Sequence, residues 1–289
     1  MKTKYEGISL VIIAAFLWGI GDFISKMSVD ELGPWTAALI RSIFFLPIVV
    51  VFVLMDDENA FSFDRDSIYP MFAGIFIGAG IILSRLSMSV YEVSLVKPIQ
   101  RLSILLTVIL SVVFLGEKID KVKTIGIGLA IGAFFFLYPI DSELLHFSSG
   151  HLYLIGLIIS LGLSTVFLRL GILRKGVNHT RFFRSLIQSI LIFTAVSMIY
   201  VSTEVSFSLD LDMIYPAVNG IIGAFAFILF CKGLETVGAS SAKPMMVLAT
   251  ITTVILGIIL LNESIFLSKA VGIVMAVLAV VFLSYEESV

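Results

Sequence analysis

Charged side chains interrupt the long apolar stretches of this sequence, and most of them are cationic. One charge at the centre of a bilayer costs about 2.5–3.5 kcal/mol, so such residues need a functional or structural reason. Asp22 is the clearest acid of this kind. The cations in or at the ends of the apolar stretches are Arg41, Arg85, Lys97, Arg101, Arg184, Lys232 and Lys243. A cavity lined by them would suit an anionic or zwitterionic substrate, such as a carboxylate or a phosphorylated metabolite.

Two of these lysines precede prolines, in the pairs Lys97-Pro98 and Lys243-Pro244. Proline suits the first helical turn and pushes the residue before it out of the α region, so each lysine is predicted at a helix N-terminus. The helix dipole and the free N–H groups attract anions there. We therefore predict that Lys97, Arg101 and Lys243 bind the substrate. The alternative is that both lysines extend to lipid headgroups.

Asp22 lies near Trp18 in the first apolar stretch, and Lys26 follows one helical turn later. A buried acid can carry protons, so Asp22 is a candidate for substrate binding and for coupling to a proton gradient. Its alternative role is an ion pair with Lys26 or Arg41. Trp18 is predicted to line the cavity as an aromatic surface, and a packed or interfacial position is the alternative.

Membrane-spanning helices must position these residues. The chain has 289 residues, of which 59% are hydrophobic, and a mean hydropathy of +1.10. Soluble domains are only about 45–50% apolar, and about twenty apolar residues cross a bilayer as a helix. The predicted fold is therefore an all-α polytopic membrane protein with ten transmembrane helices. The spans are 8–28, 34–55, 68–88, 93–115, 121–140, 151–172, 180–202, 214–234, 239–261 and 266–285.

The distribution of Lys and Arg predicts the orientation of the chain. Thirteen of these residues fall on the side of the bilayer that holds the N-terminus, and five fall on the other side. Cytoplasmic connections carry the excess of Lys and Arg, so both termini are predicted to be cytoplasmic. We expect an integral protein of a prokaryotic plasma membrane.

The chain matches itself at a nearly constant offset, which indicates an internal repeat. At 143 residues Arg41-Ser42 meets Arg184-Ser185, and at 146 residues Lys97-Pro98 meets Lys243-Pro244 and Glu117 meets Glu263. The two predicted units are 1–140 and 150–286, with five spans each. An odd number of spans inverts the second unit. Inverted repeats place a binding site near the midplane and support alternating access, which predicts a secondary transporter.

Three matched pairs receive structural predictions. Arg41 and Arg184 are predicted to tie helices together through carbonyl groups or an acid. Lys26 and Arg169 are predicted to be structural or gating charges. Glu117 and Glu263 end the fourth and ninth predicted spans, where we expect them to contact the N–H groups of the following helix.

The residues also resemble the EamA-domain members of the drug/metabolite transporter superfamily, across both repeats. The resemblance rests on Trp18-Gly19, Arg41, Pro98, Leu115-Gly116-Glu117 and the glycines Gly126, Gly128 and Gly132. The second repeat departs from the pattern at Leu161 and at Leu261-Asn262-Glu263. The resemblance implies a central cavity lined mainly by spans one, three, four, six, eight and nine, and export of a small metabolite. It names no substrate, because members of the family move amino acids, drugs, sugars and nucleotide sugars.

Other classes of function are less consistent with the sequence. The net charge of −2 and the scattered cations argue against nucleic acid as a partner. No H-E-x-x-H, G-x-S-x-G or phosphate-loop motif appears, so we expect no enzyme, no cofactor and no metal site. An intramembrane enzyme is therefore a poor alternative. A lipid-linked-sugar flippase of the same fold is a better one. The sequence leaves the oligomeric state open.

Overall fold

The chain folds into helices joined by short connections in a computed structural model. The structure describes residues 4–56, 58–88, 96, 100–137, 149–203, 211–261 and 267–284, and contains no β-strand within these ranges. The helices are α1 (Lys4–Asp56), α2 (Ile68–Met88), α3 (Ser103–Leu115), α4 (Lys121–Leu137), α5 (Ser149–Lys175), α6 (Val177–Thr203), α7 (Ile214–Val237), α8 (Ala239–Met245), α9 (Val247–Leu261) and α10 (Leu267–Ser284). Short 3-10 turns at Glu58–Phe61, Arg65–Ser67 and Leu211–Met213 precede α2 and α7.

Seven helical stretches in the described part are long and apolar enough to cross a membrane. They are Tyr5–Val29, Glu31–Met55, Arg65–Ser87, Gly150–Lys175, Val177–Val201, Leu211–Val237 and Ala239–Gly257. Ser103–Leu115 and Ala270–Leu283 are shorter apolar helices. The all-α membrane fold predicted from the sequence is therefore confirmed. Length and composition alone account for seven of the ten predicted spans.

The first two predicted spans are two helices that meet at a kink inside the range labelled α1. Gly33 is the non-helical residue at the kink, with φ 74° and ψ 163°. Asp22 and Arg41 both line one cavity, although nineteen residues of straight helix would separate them by about 28 Å. The chain therefore folds back at Gly33. Glycine adopts this backbone conformation without the steric cost that a side chain would add.

The ninth predicted span is two helices, α8 and α9, that meet at Met246. Pro244 is the sixth residue of α8, and Lys243 lies in the last turn of that helix. The prediction that Lys243 sits at a helix N-terminus is therefore wrong. Proline removes a backbone donor inside the helix, so it ends the helix here instead of opening it. The counterpart Lys97-Pro98 lies outside the described residues.

Two glycines, Gly74 and Gly220, allow helices from the two halves of the chain to approach closely. A Cβ on Gly220 of α7 would lie 2.5 Å from the backbone oxygen of Arg41 in α1. A Cβ on Gly74 of α2 would lie 2.7 Å from the backbone oxygen of Arg184 in α6. Neither gap would admit a larger residue, because real Cβ contacts under 3.0 Å essentially do not occur. These two contacts bring both arginines to the centre of the bundle.

Candidate functional site

A central cavity of about 230 Å³ lies between the helices. Residues of α1, α2, α3, α5, α6, α7 and α8 line it, together with Gln100 and Arg101 before α3 and Met246 after α8. Pockets for drug-sized ligands occupy about 300–1,000 Å³, so this cavity fits a small metabolite. The helices implied by the family resemblance, spans one, three, four, six, eight and nine, all contribute, and α1 and α6 add the residues of spans two and seven.

The cavity is strongly cationic. Among the described lining residues there are five cations and one acid, Asp22, which leaves an excess of four positive charges. The cations are Arg41, Arg85, Arg101, Arg184 and Lys243. Like charges repel strongly where little water separates them, so an anion in the cavity would be stabilised by several of these side chains at once.

Asp22 and Arg101 form an ion pair at the cavity wall. Arg101 Nη2 donates to Asp22 Oδ2 at 3.0 Å, and the two side chains are 18% and 27% exposed respectively. The alternative role predicted for this acid, an ion pair with Lys26 or Arg41, stays a prediction. The side chain of Lys26 lies outside the described part of the structure. Asp22 and Arg101 come from different spans, so no local spacing could have indicated their contact.

Lys243 lies in the cavity wall and donates a hydrogen bond of 3.1 Å from Nζ to Thr165 Oγ1 of α5. Arg101 and Arg184 line the same cavity. The structure thus places Arg101 and Lys243, two of the predicted substrate-binding residues, on the same cavity. Lys97, the third, lies outside the described residues.

Arg184 stacks on aromatic rings instead of meeting an acid. Its Cζ atom lies 4.0 Å from the centroid of the Phe227 ring and 5.9 Å from that of Phe45. The side chain is only 8% exposed, and Nε and Nη1 have no hydrogen-bond partner. Within the described ranges, no carbonyl or carboxylate accepts a hydrogen bond from this guanidinium. Arg184 therefore lines the cavity with two N–H donors that are buried and have no acceptor among the described residues.

Arg41, at the matching position of the first repeat, has a similar environment. Its Cζ atom lies 5.6 Å from the centroid of the Phe45 ring, and no hydrogen bond or ion pair joins its guanidinium to the described residues. The absence of a Cβ at Gly223 leaves room for the guanidinium, since a Cβ there would lie 2.9 Å from Nη2. The predicted tie to a carbonyl or an acid stays a prediction for both arginines.

Trp18 lines the cavity and also packs against an aromatic neighbour. Its ring meets Phe230 of α7 edge to face, with centroids 5.2 Å apart. Such pairs stabilise by about 0.5–1.5 kcal/mol beyond the burial of their area. Trp18 therefore has part of its surface available to a ligand and part committed to helix packing.

Glu117 and Arg169 form a clamp at one end of the cavity. Glu117 accepts hydrogen bonds of 2.8 Å from the backbone N–H groups of Ala239 and Ser240 at the start of α8. Arg169 donates from Nη1 to the backbone oxygens of Leu234 and Glu235 at the end of α7, and its Nε lies 3.9 Å from Glu117 Oε1. The clamp thus holds both sides of the turn between α7 and α8.

Glu117 was expected to contact the N–H groups of the next helix along the chain, which is α4. This expectation is wrong, because Glu117 caps α8, in the second half of the chain. The reason is steric. Gly238, with φ 84°, turns the chain so that the first N–H groups of α8 face Glu117, and a Cβ on Gly238 would lie 3.0 Å from Oε1. Glu263 lies outside the described part of the chain.

Sequence reasoning missed Phe45, Gln188, Phe227 and Thr165, which all line the cavity. A signal existed for two of them. Phe45 follows Arg41 by four residues, and Gln188 follows Arg184 by four, so each pair shares one helix face. Gln188 is 1% exposed, and its Oε1 has no hydrogen-bond partner. Nothing in the sequence indicated that Phe227 or Thr165 would reach the same cavity.

The sequence and the fold of this chain are similar to those of known proteins. The chain is 23% identical over 291 residues to the S-adenosylmethionine uptake transporter of Rickettsia prowazekii (strain Madrid E), a match covering 99% of this chain and 95% of the relative. A protein of known crystal structure superposes with a TM-score of 0.80 over 97% of this chain and 96% of that chain. Their identity is 12%, so the likeness concerns the fold alone.

The model of the EamA-like transporter family matches residues 5–138 and again residues 148–285. With almost the whole chain matched, and the spanning helices and central cavity described above, the protein belongs to the EamA-like transporter family.

Proposed function

We propose that this membrane transporter is a secondary carrier of a small organic anion. Its ten spans would form two inverted five-helix repeats, 1–140 and 150–286, which alternate the access of the central cavity between the two sides of the membrane. The observation that carries the proposal is Arg184, a buried guanidinium that no acid or carbonyl in the described part of the chain satisfies.

The free energies involved favour a ligand at Arg184. An uncompensated buried charge costs about 3–5 kcal/mol. A desolvated cation–π contact returns about 2 kcal/mol, so the stacking of Arg184 on Phe227 offsets only part of that cost. An anion with hydrogen-bond acceptors would satisfy the remaining donors. Arg101 and Lys243 would add to the attraction from the other walls of the cavity.

The substrate we propose differs from the compound in the name of the Rickettsia relative. S-adenosylmethionine carries an ammonium and a sulfonium group against one carboxylate, so it is a net cation. Five cations and one acid line the cavity among the described residues, and they would repel such a compound. At 23% identity, a change of substrate within one fold is expected.

Thermal stability of the purified protein tests the proposal. A ligand present at one hundred times its Kd stabilises the native state by about 2.7 kcal/mol. Organic anions should raise the thermal midpoint of the wild-type protein and of Arg65→Gln, whose arginine is exposed outside the cavity. The same anions should lose most of their effect on Arg184→Gln. If S-adenosylmethionine or another cation raised the thermal midpoints of Arg65→Gln and Arg184→Gln equally, the proposal would be contradicted.

The same experiment separates the carrier from a lipid-linked-sugar flippase. A flippase would be stabilised by lipid-linked sugars, and its binding would include lipid-facing surface that Arg184→Gln leaves intact. Uptake of the stabilising anion into proteoliposomes must then follow. Anion binding without any transport would point to a binding protein of this fold and contradict the carrier.

Direction and orientation are part of the proposal. We propose export from a prokaryotic cytoplasm with both termini on the cytoplasmic side, from the family resemblance and the distribution of Lys and Arg. The relative is named as an uptake transporter, so direction must be measured. Inside-out vesicles should accumulate the anion when the proton gradient is imposed, and right-side-out vesicles should not. Labelling of the N-terminus from outside intact cells would contradict the orientation.

Asp22 is the residue that we propose for proton coupling. In the present conformation Arg101 binds its carboxylate at 3.0 Å. A change of conformation that separates these two side chains would let Asp22 exchange a proton with one side of the membrane. Asp22→Asn should abolish the pH dependence of transport. If transport by this variant keeps the wild-type pH dependence, Asp22 is not the coupling residue.

A further inference from the structure

Arg41 and Arg184 together indicate more than one negative charge on the substrate. The two residues occupy matching positions of the proposed repeats, and both guanidinium groups lie within 6 Å of one ring, that of Phe45. Neither guanidinium has a hydrogen-bond or ion-pair partner in the part of the chain that the structure describes. Both line the same cavity, so one ligand can reach both.

The separation of the two guanidinium groups limits the size of that ligand. Their Cζ atoms can be no further apart than the sum of 5.6 Å and 5.9 Å, their distances from the Phe45 centroid. An N–H···O hydrogen bond spans about 3 Å at each end. The carboxyl carbons of an extended four-carbon diacid lie about 4 Å apart. A ligand that contacts both arginines must therefore be short, and a diacid of about four carbons meets this limit.

The environment between the arginines agrees with such a ligand. Phe45 is 2% exposed but contributes to the cavity wall, so it offers an apolar surface to the carbon chain of the ligand. A compact dianion, such as a phosphate ester, would carry both charges at one end. Its three terminal oxygens would reach both guanidinium groups only where these lie close together, whereas a diacid also bridges a wider gap.

Matching backbone positions also support a ligand with two equivalent ends. Gly220 lies against the carbonyl of Arg41 and Gly74 against that of Arg184, at the distances that the fold imposes. If the two repeats exchange their conformations during transport, the two arginines exchange their environments as well. A ligand with the same acidic group at each end can keep both contacts in either state without reversing its orientation in the cavity.

We propose that the substrate class is a short dicarboxylate, held with one carboxylate at Arg41 and the other at Arg184. This inference rests on the proposed function, since it specifies the anion that the carrier moves. It assigns a direct binding role to both arginines, in place of a structural tie between helices.

Binding to the wild-type protein tests the inference first, without any variant. Calorimetry with malonate, succinate, glutarate and adipate should give the tightest binding for one of the shorter diacids. Butyrate, which lacks the second carboxylate, should bind at least tenfold more weakly than succinate. Glycerol 3-phosphate should also bind more weakly than succinate. Equal binding of butyrate and succinate, or tighter binding of the phosphate ester, would overturn the dicarboxylate.

Variants then assign the two carboxylates. Arg41→Gln and Arg184→Gln should each weaken succinate binding at least tenfold and leave butyrate and succinate with similar affinity. Arg65→Gln is the matched control, and its affinity for succinate should equal that of the wild-type protein. A variant whose thermal midpoint without ligand has fallen is replaced by the Arg→Lys variant, which keeps the charge. Loss of succinate binding in only one of the two variants would overturn the two-point contact.

The outcomes separate this inference from the proposed function. If monocarboxylates bind as well as succinate and only Arg184→Gln affects them, the carrier of organic anions stands and the dicarboxylate is wrong. If no anion in the series binds to the wild-type protein, the proposed function fails and this inference fails with it.

Discussion

Glu117, just beyond the end of α3, accepts a hydrogen bond of 2.8 Å from the backbone N–H of Ala239, the first residue of α8. The two residues belong to different proposed repeats. Helix N-termini leave their first N–H groups without partners inside the helix, and an acidic side chain is a favourable partner for them. This contact therefore joins the two halves of the chain at one end of the cavity.

Removal of that cap should destabilise the protein. We expect Glu117→Ala to lower the free energy of unfolding by about 1–2 kcal/mol, the usual cost of losing an N-cap. The matched control is Glu31→Ala, because Glu31 is exposed and caps no helix among the described elements. Thermal unfolding in detergent measures both. If Glu117→Ala unfolds at the same temperature as Glu31→Ala, the hydrogen bonds to α8 contribute nothing to stability.

A single methyl group on Gly223 should disturb the binding site. The new Cβ would lie 2.9 Å from Arg41 Nη2, so the guanidinium must move. Helix propensity alone would make Gly→Ala stabilising by about 1 kcal/mol. We therefore expect weaker binding of organic anions without a lower thermal midpoint.

Gly128→Ala is the control for this variant, since a Cβ on Gly128 would meet nothing within 4 Å. It should keep wild-type affinity. Equal anion affinity of the two alanine variants would show that the position of Arg41 does not matter for binding.

The ion pair between Asp64 and Lys175 should make stability depend on pH at the acidic end. The hydrogen bond from Lys175 lowers the pKa of the Asp64 carboxyl below its ordinary value of 3.8. A lowered pKa in the folded state means that the contribution to stability is fully present above about pH 4. It is lost as the pH falls through the folded-state pKa. The effect is small, because Asp64 is half exposed.

Asp64→Asn isolates this charge, since Asn also serves as an N-cap for the turn at Arg65–Ser67. The difference in thermal midpoint between wild type and variant should be present at pH 6 and shrink towards pH 3. Asp66→Asn is the control and should show no such trend. A difference that stays constant over this range would contradict a role for the charge.

The hydroxyl groups of Thr36 and Tyr200 lie 2.6 Å apart and join α1 to α6. Hydrogen bonds between membrane helices contribute about 0.6 kcal/mol on average. Tyr200→Phe should therefore lower the free energy of unfolding by only about that amount. Tyr153→Phe is the comparison, and both are measured by unfolding in detergent. A loss several times larger would mean that the Tyr200 ring is repacked as well.

Hydropathy predicted the helices well because the bilayer restricts the chain so strongly. Long apolar stretches must form helices there, and the predicted spans around Arg184 and Lys243 are helical in the structure. Hydropathy could not predict the break at Met246 or the single-residue turn at Gly33. Those depend on single backbone conformations, which a window of twenty residues averages away.

The candidate site was predictable in part. Charge within apolar stretches indicated Asp22, Arg101 and Lys243, which the structure brings to one cavity. The contacts between them were not predictable. The ion pair of Asp22 with Arg101 and the cap of α8 by Glu117 join residues from different spans, and pattern within one helix says nothing about them.

The turn at Gly33 has a mechanical consequence. Asp22 and Arg41 are carried by two helices that meet at Gly33, the non-helical residue between them. Glycine tolerates a change of backbone dihedrals better than any other residue, so the angle between the two helices can change there. A change of that angle would alter the distance between the ion-paired acid and the unpaired guanidinium.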